Sequence, residues 1–370
     1  MTPGDAREPL LVALSCEQMP TGWSGARWSV LLQQARATGL LGKVAYRLSS
    51  LDPDLDACPL ALRGHFHSVL RVWAAQQRQV RREVGQIRHA LAGLGCPVVL
   101  LKGAAYVMSG LPAAHGRLFA DVDVMVPRAQ LAQAESDLML GGWMSTHTTA
   151  YDQRYYRQWM HEVPPMEHIH RRTTLDLHHT ILPLSGRMQP DAAALFADAV
   201  TLADDPHLYV LSPPDMVLHS MAHLFVNDEL SHALRDLSDL DALLRHFGDE
   251  PRFWDRLVER AERHHLARLL YYGLYWCQRR LGTPVPVSVI ERTGLARPPM
   301  HVGALMNRLW AQAFAAPCLP AARWRAAALF ALYLRGHWLR MPPLMLARHL
   351  TIKALRLHEP KTDSAARTVG

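Results

Sequence analysis

Cysteine is scarce in this chain. Five occur in 370 residues, at Cys16, Cys58, Cys96, Cys277 and Cys318, odd in number and never spaced as CxxC. That usage argues against a disulfide frame or a zinc ribbon, and a reducing cytoplasm is the expected setting. Long apolar runs are missing as well: the best stretch, Ala326 to Leu334, falls far short of the roughly 20 residues a membrane-spanning helix needs. The N-terminal MTPGDAREPLLVALS puts acids ahead of a short apolar run and has no cleavage pattern, so no signal peptide is expected. Internal repeats and low-complexity tracts are absent, which excludes solenoid architectures. Acidic residues are in deficit, 33 against 40 Lys and Arg, and the resulting charge of +7 points to acidic partners: nucleotides, nucleic acid or an anionic membrane surface.

What is present is a globular composition, 49% hydrophobic, with length enough for two or three ordinary domains. Residues 1–57 read as short helices, two of them within Trp28 to Leu48, closed by the turn LDPDLDACP. Asp52, Asp54 and Asp56 are spaced like the start of a calcium loop. The downstream Gly and Glu are lacking, so turn chemistry is the reading. From Leu60 to Leu94 apolar residues recur at three and four, predicting one long helix, with Arg71, Arg78, Arg81, Arg82 and Arg88 on a solvated face.

The chain is organised around Cys96 to Val126, CPVVLLKGAAYVMSGLPAAHGRLFADVDVMV. Pro97 to Leu101 reads as a buried strand that stops at Lys102-Gly103, where a close backbone turn becomes possible and a helix start would attract phosphate. In Leu118 to Val126, Asp121 and Asp123 alternate with Val122, Val124 and Val126. Period 2 places both carboxylates on one strand face and the valines in a core. Adjacent carboxylates repel unless a divalent cation is shared between them. After a helix over Arg128 to Gly142, Met166–His170 and Thr174–His178 read as a hairpin around Arg171-Arg172-Thr173, with Thr174, Asp176 and His178 on one face.

A glycine turn at a strand end, a D-x-D pair and a third acid on a later strand are what phosphoryl and nucleotidyl transfer require. Asp121, Asp123 and Asp176 are the candidate catalytic and metal-holding residues, with Asp176 also placed to help deprotonate an acceptor hydroxyl. Lys102 and Gly103 are candidate phosphate contacts. Arg117 either neutralises phosphate charge or pairs with the acids, and His178 contacts substrate or orients Asp176.

These stretches, LLKGAAYVMSG, GRLFADVDVMV and TLDLHHTI, together with the helical LSPPDMVLHSMAHLFVND and LRDLSDLDALLRHF, resemble the nucleotidyltransferase superfamily. Within it the likeness is to the family known as uncharacterised nucleotidyltransferase, over roughly residues 95 to 285. In the superfamily a Gly-Ser or Gly-Gly turn precedes D-x-D. Here Lys102-Gly103 takes that place, and the 17 residues between Gly103 and Asp121 are more than usual. The resemblance implies a polymerase-beta-like α+β fold, with a small mixed sheet flanked by helices. The pattern along the chain divides it into an N-terminal helical segment at residues 1–57, the nucleotidyltransferase core at 58–205, a helical domain at 206–320 and a basic helical segment at 321–370. It implies transfer of NMP from an NTP, ATP being the first candidate, with Mg²⁺ or Mn²⁺ as cofactor. The acceptor stays open among small molecule, sugar, protein and RNA, the last as in a toxin-like tRNA transferase. A non-catalytic nucleotide- or partner-binding scaffold is the alternative.

Other features compete. His161, His168, His170, His178 and His179 cluster around the hairpin, but their spacing matches no closed metal set. His219 and His223 have i, i+4 spacing without the metalloprotease glutamate and read as a core pair, His223 resembling a recurrent family histidine. Arg235 and Asp239 read as a helix pair. Ser212-Pro213-Pro214-Asp215 reads as a capping start. Between Ala321 and Lys361 lie eight Lys/Arg (Arg323, Arg325, Arg335, Arg340, Arg348, Lys353, Arg356, Lys361) against Glu359, with Trp324, Phe330, Tyr333 and Trp338 among them. That segment either contacts a membrane surface or nucleic acid, or packs its aromatics inward with its arginines in water.

Overall fold

Three helices, α1 (Pro9–Ser15), α2 (Gly25–Ala37) and α3 (Leu41–Leu51), lead into the 31-residue α4 (Leu60–Ala90) in a computed structural model of the chain. The structure describes residues 8–119, 121–146, 150–227, 229–316 and 324–347. Cys318, Arg323 and the basic residues from Arg348 onward lie outside them, and no helix among the described residues is long and apolar enough to cross a membrane. As the turn reading expected, Asp52 accepts a hydrogen bond from the backbone of Ala57 and Asp56 pairs with Arg63.

The core sheet begins with β1 (Val98–Leu100), then α5 (Lys102–Met108) and β2 (Asp121–Met125). Next come α6 (Leu131–Leu140), β3 (Trp143–Ser145), α7 (Ala150–Trp159) and the hairpin β4 (Met166–His168) and β5 (Thr174–His178). A further helix, α8 (Ala192–Ala197), precedes β6 (Val200–Leu202) and β7 (Asp205–Val210). The strands form one mixed sheet in the order β3-β4-β5-β2-β1-β7-β6. β2 is its middle strand, antiparallel to β1 and parallel to β5. The chain is thus α+β, as the sequence indicated. The sheet does not end at residue 205 with only helices beyond it: β7 pairs with β1 in parallel and carries the sheet on to Val210.

Helices complete the molecule: α9 (Pro213–Val226), α10 (Ala233–Phe247), α11 (Phe253–Arg263), α12 (Ala267–Leu281), α13 (Val287–Gly294), α14 (Met300–Ala313) and α15 (Arg325–Arg340). Apolar residues from Leu10 to Leu332 form one continuous core. At the start of α9, Ser212 makes no bond to the helix amides. Its hydroxyl donates to Asp215, which is fully buried against Arg260 and His264, so this acid is a packing anchor and not a cap.

Helix α15 reverses the inward-aromatic expectation. Trp324, Phe330 and Trp338 are exposed, while Arg325 and Arg335 turn inward onto backbone carbonyls and Arg340 is buried. Carbonyl oxygens that receive the N–H groups offset part of the cost of burying each guanidinium, and the long methylene stems add apolar contact.

Candidate active site

The register of two strands assembles the site. Val122 and Val124 are buried on one face of β2, leaving Asp121 and Asp123 on the other. Asp123 pairs across the parallel ladder with Asp176 of β5, and Met125 with His178. Residues opposite each other in a ladder point to the same face, so the third carboxylate meets the first two. Asp121 and Asp176 line a common cavity of about 400 Å³.

Lys102 enters from the other neighbour. The Leu101 amide donates to the Asp123 carbonyl, so the chain turns into α5 directly beside that residue. The Lys102 ammonium lies 2.6 Å from Asp123 Oδ1, and its backbone is left-handed at φ 43°. That conformation costs a side-chain-bearing residue about 1–2 kcal/mol and is held here by the flanking strand and helix. His178 Nε2 lies 3.0 Å from the same Asp123 oxygen. Since Asp123 is ionised, the ring nitrogen is the donor.

The charges divide the acids. Burial alone would raise the Asp123 carboxyl, but Lys102 and His178 hold it well below the usual carboxylate range. Asp176 is pushed up to about 7, by burial first and then by the charges of Asp123 and Glu162. Asp121 is raised by burial and then by Asp123. Asp176 Oδ1 is buried and makes no hydrogen bond among the described residues. Crowded carboxylates with an orphaned oxygen suit a divalent cation with hard oxygen preference, Mg²⁺ or Mn²⁺.

Gly103 is buried, and an added Cβ would sit 2.9 Å from Arg117 Nη1 and 3.0 Å from the Phe119 ring. Its missing side chain therefore makes room for protein groups. Phe119 is fixed in turn by Gln76 of α4, whose amide both donates to and accepts from the Phe119 backbone. Arg117 does not pair with the site acids. Its Nε lies 2.5 Å from Asp239 Oδ2, and Lys43 lies 2.6 Å from the other oxygen of that carboxylate. Arg117 Nη1 makes no hydrogen bond among the described residues and lies at the Gly103 side. Asp239 is thereby unavailable to Arg235, which binds Asp236 instead, correcting the expected helix pair.

A second cavity, of about 290 Å³, is lined by Gly103, Arg117, Phe119 and Asp123 and shares Lys102, Asp121 and His223 with the first. His219 is buried, and burial followed by the Lys102 charge lowers it to about 3, so it is neutral. His223 Nε2 lies 3.3 Å from the Asn227 amide.

Of the five hairpin histidines, two converge. His161 and His178 have ring centres 5.2 Å apart, whereas His168 Nδ1 accepts backbone amides of His170 and Arg171 and its ring packs on Trp143. The group missed from the sequence is Glu162. It lies in HEVPP, which has no periodicity, and reaches the site through an isolated antiparallel bridge to His178.

The family model described as uncharacterised nucleotidyltransferase matches residues 24–282, and the chain belongs to that family. The match begins at the N-terminal helices, well before the motifs that carry the resemblance. No curated protein matches the sequence.

Proposed function

We propose that this chain moves NMP from an NTP, with ATP as first candidate, to a hydroxyl-bearing acceptor. One observation carries the reading: Asp123 and Asp176 are register partners on adjacent parallel strands, with Asp121 beside them at the junction of two cavities. Asp121, Asp123 and Asp176 would hold Mg²⁺, which when bound offsets phosphate charge and acidifies an attacking hydroxyl. Lys102 stands where the cavities meet and offers its ammonium to phosphate oxygens. The smaller cavity, with Arg117 Nη1 and the Phe119 ring, suits the donor. The larger, walled by Tyr156, Met160 and Ile181, suits the acceptor. Asp176 Oδ1, buried without a hydrogen bond among the described residues, is the atom placed to receive the acceptor proton.

A specific observation favours the non-catalytic reading as second choice. Lys102 already neutralises Asp123 and Arg117 already neutralises Asp239, so neither cation is wholly at the disposal of phosphate. Mg²⁺-dependent pyrophosphate release from each NTP, with the Asp121→Ala/Asp123→Ala protein as control, separates the two. Equal release from both proteins ends the catalytic reading.

A further inference from the structure

We infer that His161, Glu162 and His178 form a second cation site, one that takes a transition-metal ion of borderline softness, such as Zn²⁺, in preference to Mg²⁺. One donor atom from each of the three residues lies within 4.8 Å of the others. Their placement is set by backbone. The Val163 amide donates to the Leu177 carbonyl and the His179 amide to the His161 carbonyl, locking the two segments antiparallel at the cavity wall.

The contacts inside the cluster are too long for the polar pairs they resemble. His178 Nδ1 is 3.4 Å from Glu162 Oε2 and makes no hydrogen bond among the described residues, and His161 Nε2 is 3.8 Å from the same oxygen. Donors around a tetrahedral ion with bonds of about 2.0–2.1 Å stand roughly 3.4 Å apart, a spacing the His178–Glu162 pair matches and the His161–Glu162 pair slightly exceeds.

The surroundings of His178 give further support. Its ring is buried, Nε2 is engaged by Asp123, and Nδ1 faces the Glu162 carboxylate without a hydrogen bond among the described residues. An imidazole that ligates through one nitrogen while the other donates to a carboxylate is the usual supporting arrangement of a metal-binding histidine.

Two imidazoles and one carboxylate select against Mg²⁺, which prefers oxygen donors alone, and toward Zn²⁺ or Co²⁺. Three protein ligands leave a position open. His161 and Glu162 line the larger cavity together with Asp121 and Asp176, so that position faces the space assigned to the acceptor, whose oxygen or a water would occupy it. The site does not depend on nucleotide transfer taking place.

The test is Co²⁺ titration of the chelator-treated full chain in excess Mg²⁺, followed by ligand-field absorption. Wild type and Asp121→Asn are expected to bind one equivalent. His161→Ala and Glu162→Gln are expected to bind at least about tenfold more weakly, with unchanged thermal unfolding before Co²⁺ is added. Absence of Co²⁺ absorption in wild type under excess Mg²⁺ overturns the inference, whatever the variants do. So does undiminished binding in either folded variant, or loss in Asp121→Asn with retention in His161→Ala, which puts the ion at the aspartates. Pyrophosphate release, measured separately, keeps the fate of the nucleotide-transfer reading distinct.

Discussion

Asp123 and Asp176 sit opposite each other in the β2–β5 ladder, one carboxyl held low by Lys102 and His178 and the other pushed up to about 7. Two acids at one spot are thus in different protonation regimes, and their removal has opposite consequences for stability and for activity.

Asp176→Asn removes a buried charge that Asp123 and Glu162 repel. The chelator-treated variant is expected to melt about 1–3 °C higher than wild type, while Mg²⁺-dependent pyrophosphate release falls at least about 100-fold, near 2.7 kcal/mol. Calorimetry and the release assay on the same preparation check both. A lower melting temperature would contradict the repulsion argument.

Lys102 combines a left-handed backbone with a charge the site uses. Lys102→Ala keeps the backbone strain and loses the charge, whereas Lys102→Gly loses both. The glycine variant is expected to be the more stable of the two by about 1 kcal/mol in urea unfolding, with turnover low in both. Equal stabilities would mean the backbone relaxes once the ammonium has gone.

Asp239 lies between two buried cations, Arg117 and Lys43. Asp239→Ala leaves both unpaired, and a loss of about 3–5 kcal/mol is expected in denaturant unfolding. A loss under 1 kcal/mol would show that water reaches the pair.

Asp215 supplies an acid limb to stability. Burial would raise its carboxyl, but hydrogen bonds from His264, Arg260 and Ser212 outweigh that and hold it below its ordinary value. A depressed carboxylate contributes fully above its unfolded-state value, about 3.9, and loses the contribution as pH falls through the folded value. The stability gap between wild type and Asp215→Asn should therefore be constant from about pH 8 to 5 and shrink below about pH 4. A gap that widened in acid would reverse the sign.

The legible parts of this molecule were those governed by local period. Alternation in DVDVM and TLDLH placed three acids on strand faces, and the 3.6 repeat from Leu60 gave α4 to within a few residues of its end. What pairing across long separations decides was not legible. Strand β7 opens with Asp205-Pro206-His207, in a stretch read as helical from residue 206, and is a strand because β1 offers it a parallel edge more than a hundred residues earlier. Arg117 finds Asp239 at a separation of 122 residues, and this partner, not Arg235 one turn away, wins because both are enclosed together. Glu162 carries no pattern at all and is placed by a single bridge.

The carboxylate of Asp239 fastens α3 through Lys43, the approach to β2 through Arg117, and its own helix α10 to one point. Recombination between relatives that exchanged the leading helices as a cassette would have to bring all three partners along or strand an ion inside the protein. The stretch that can be inherited as a unit is therefore longer than the catalytic motifs, and it starts before Lys43.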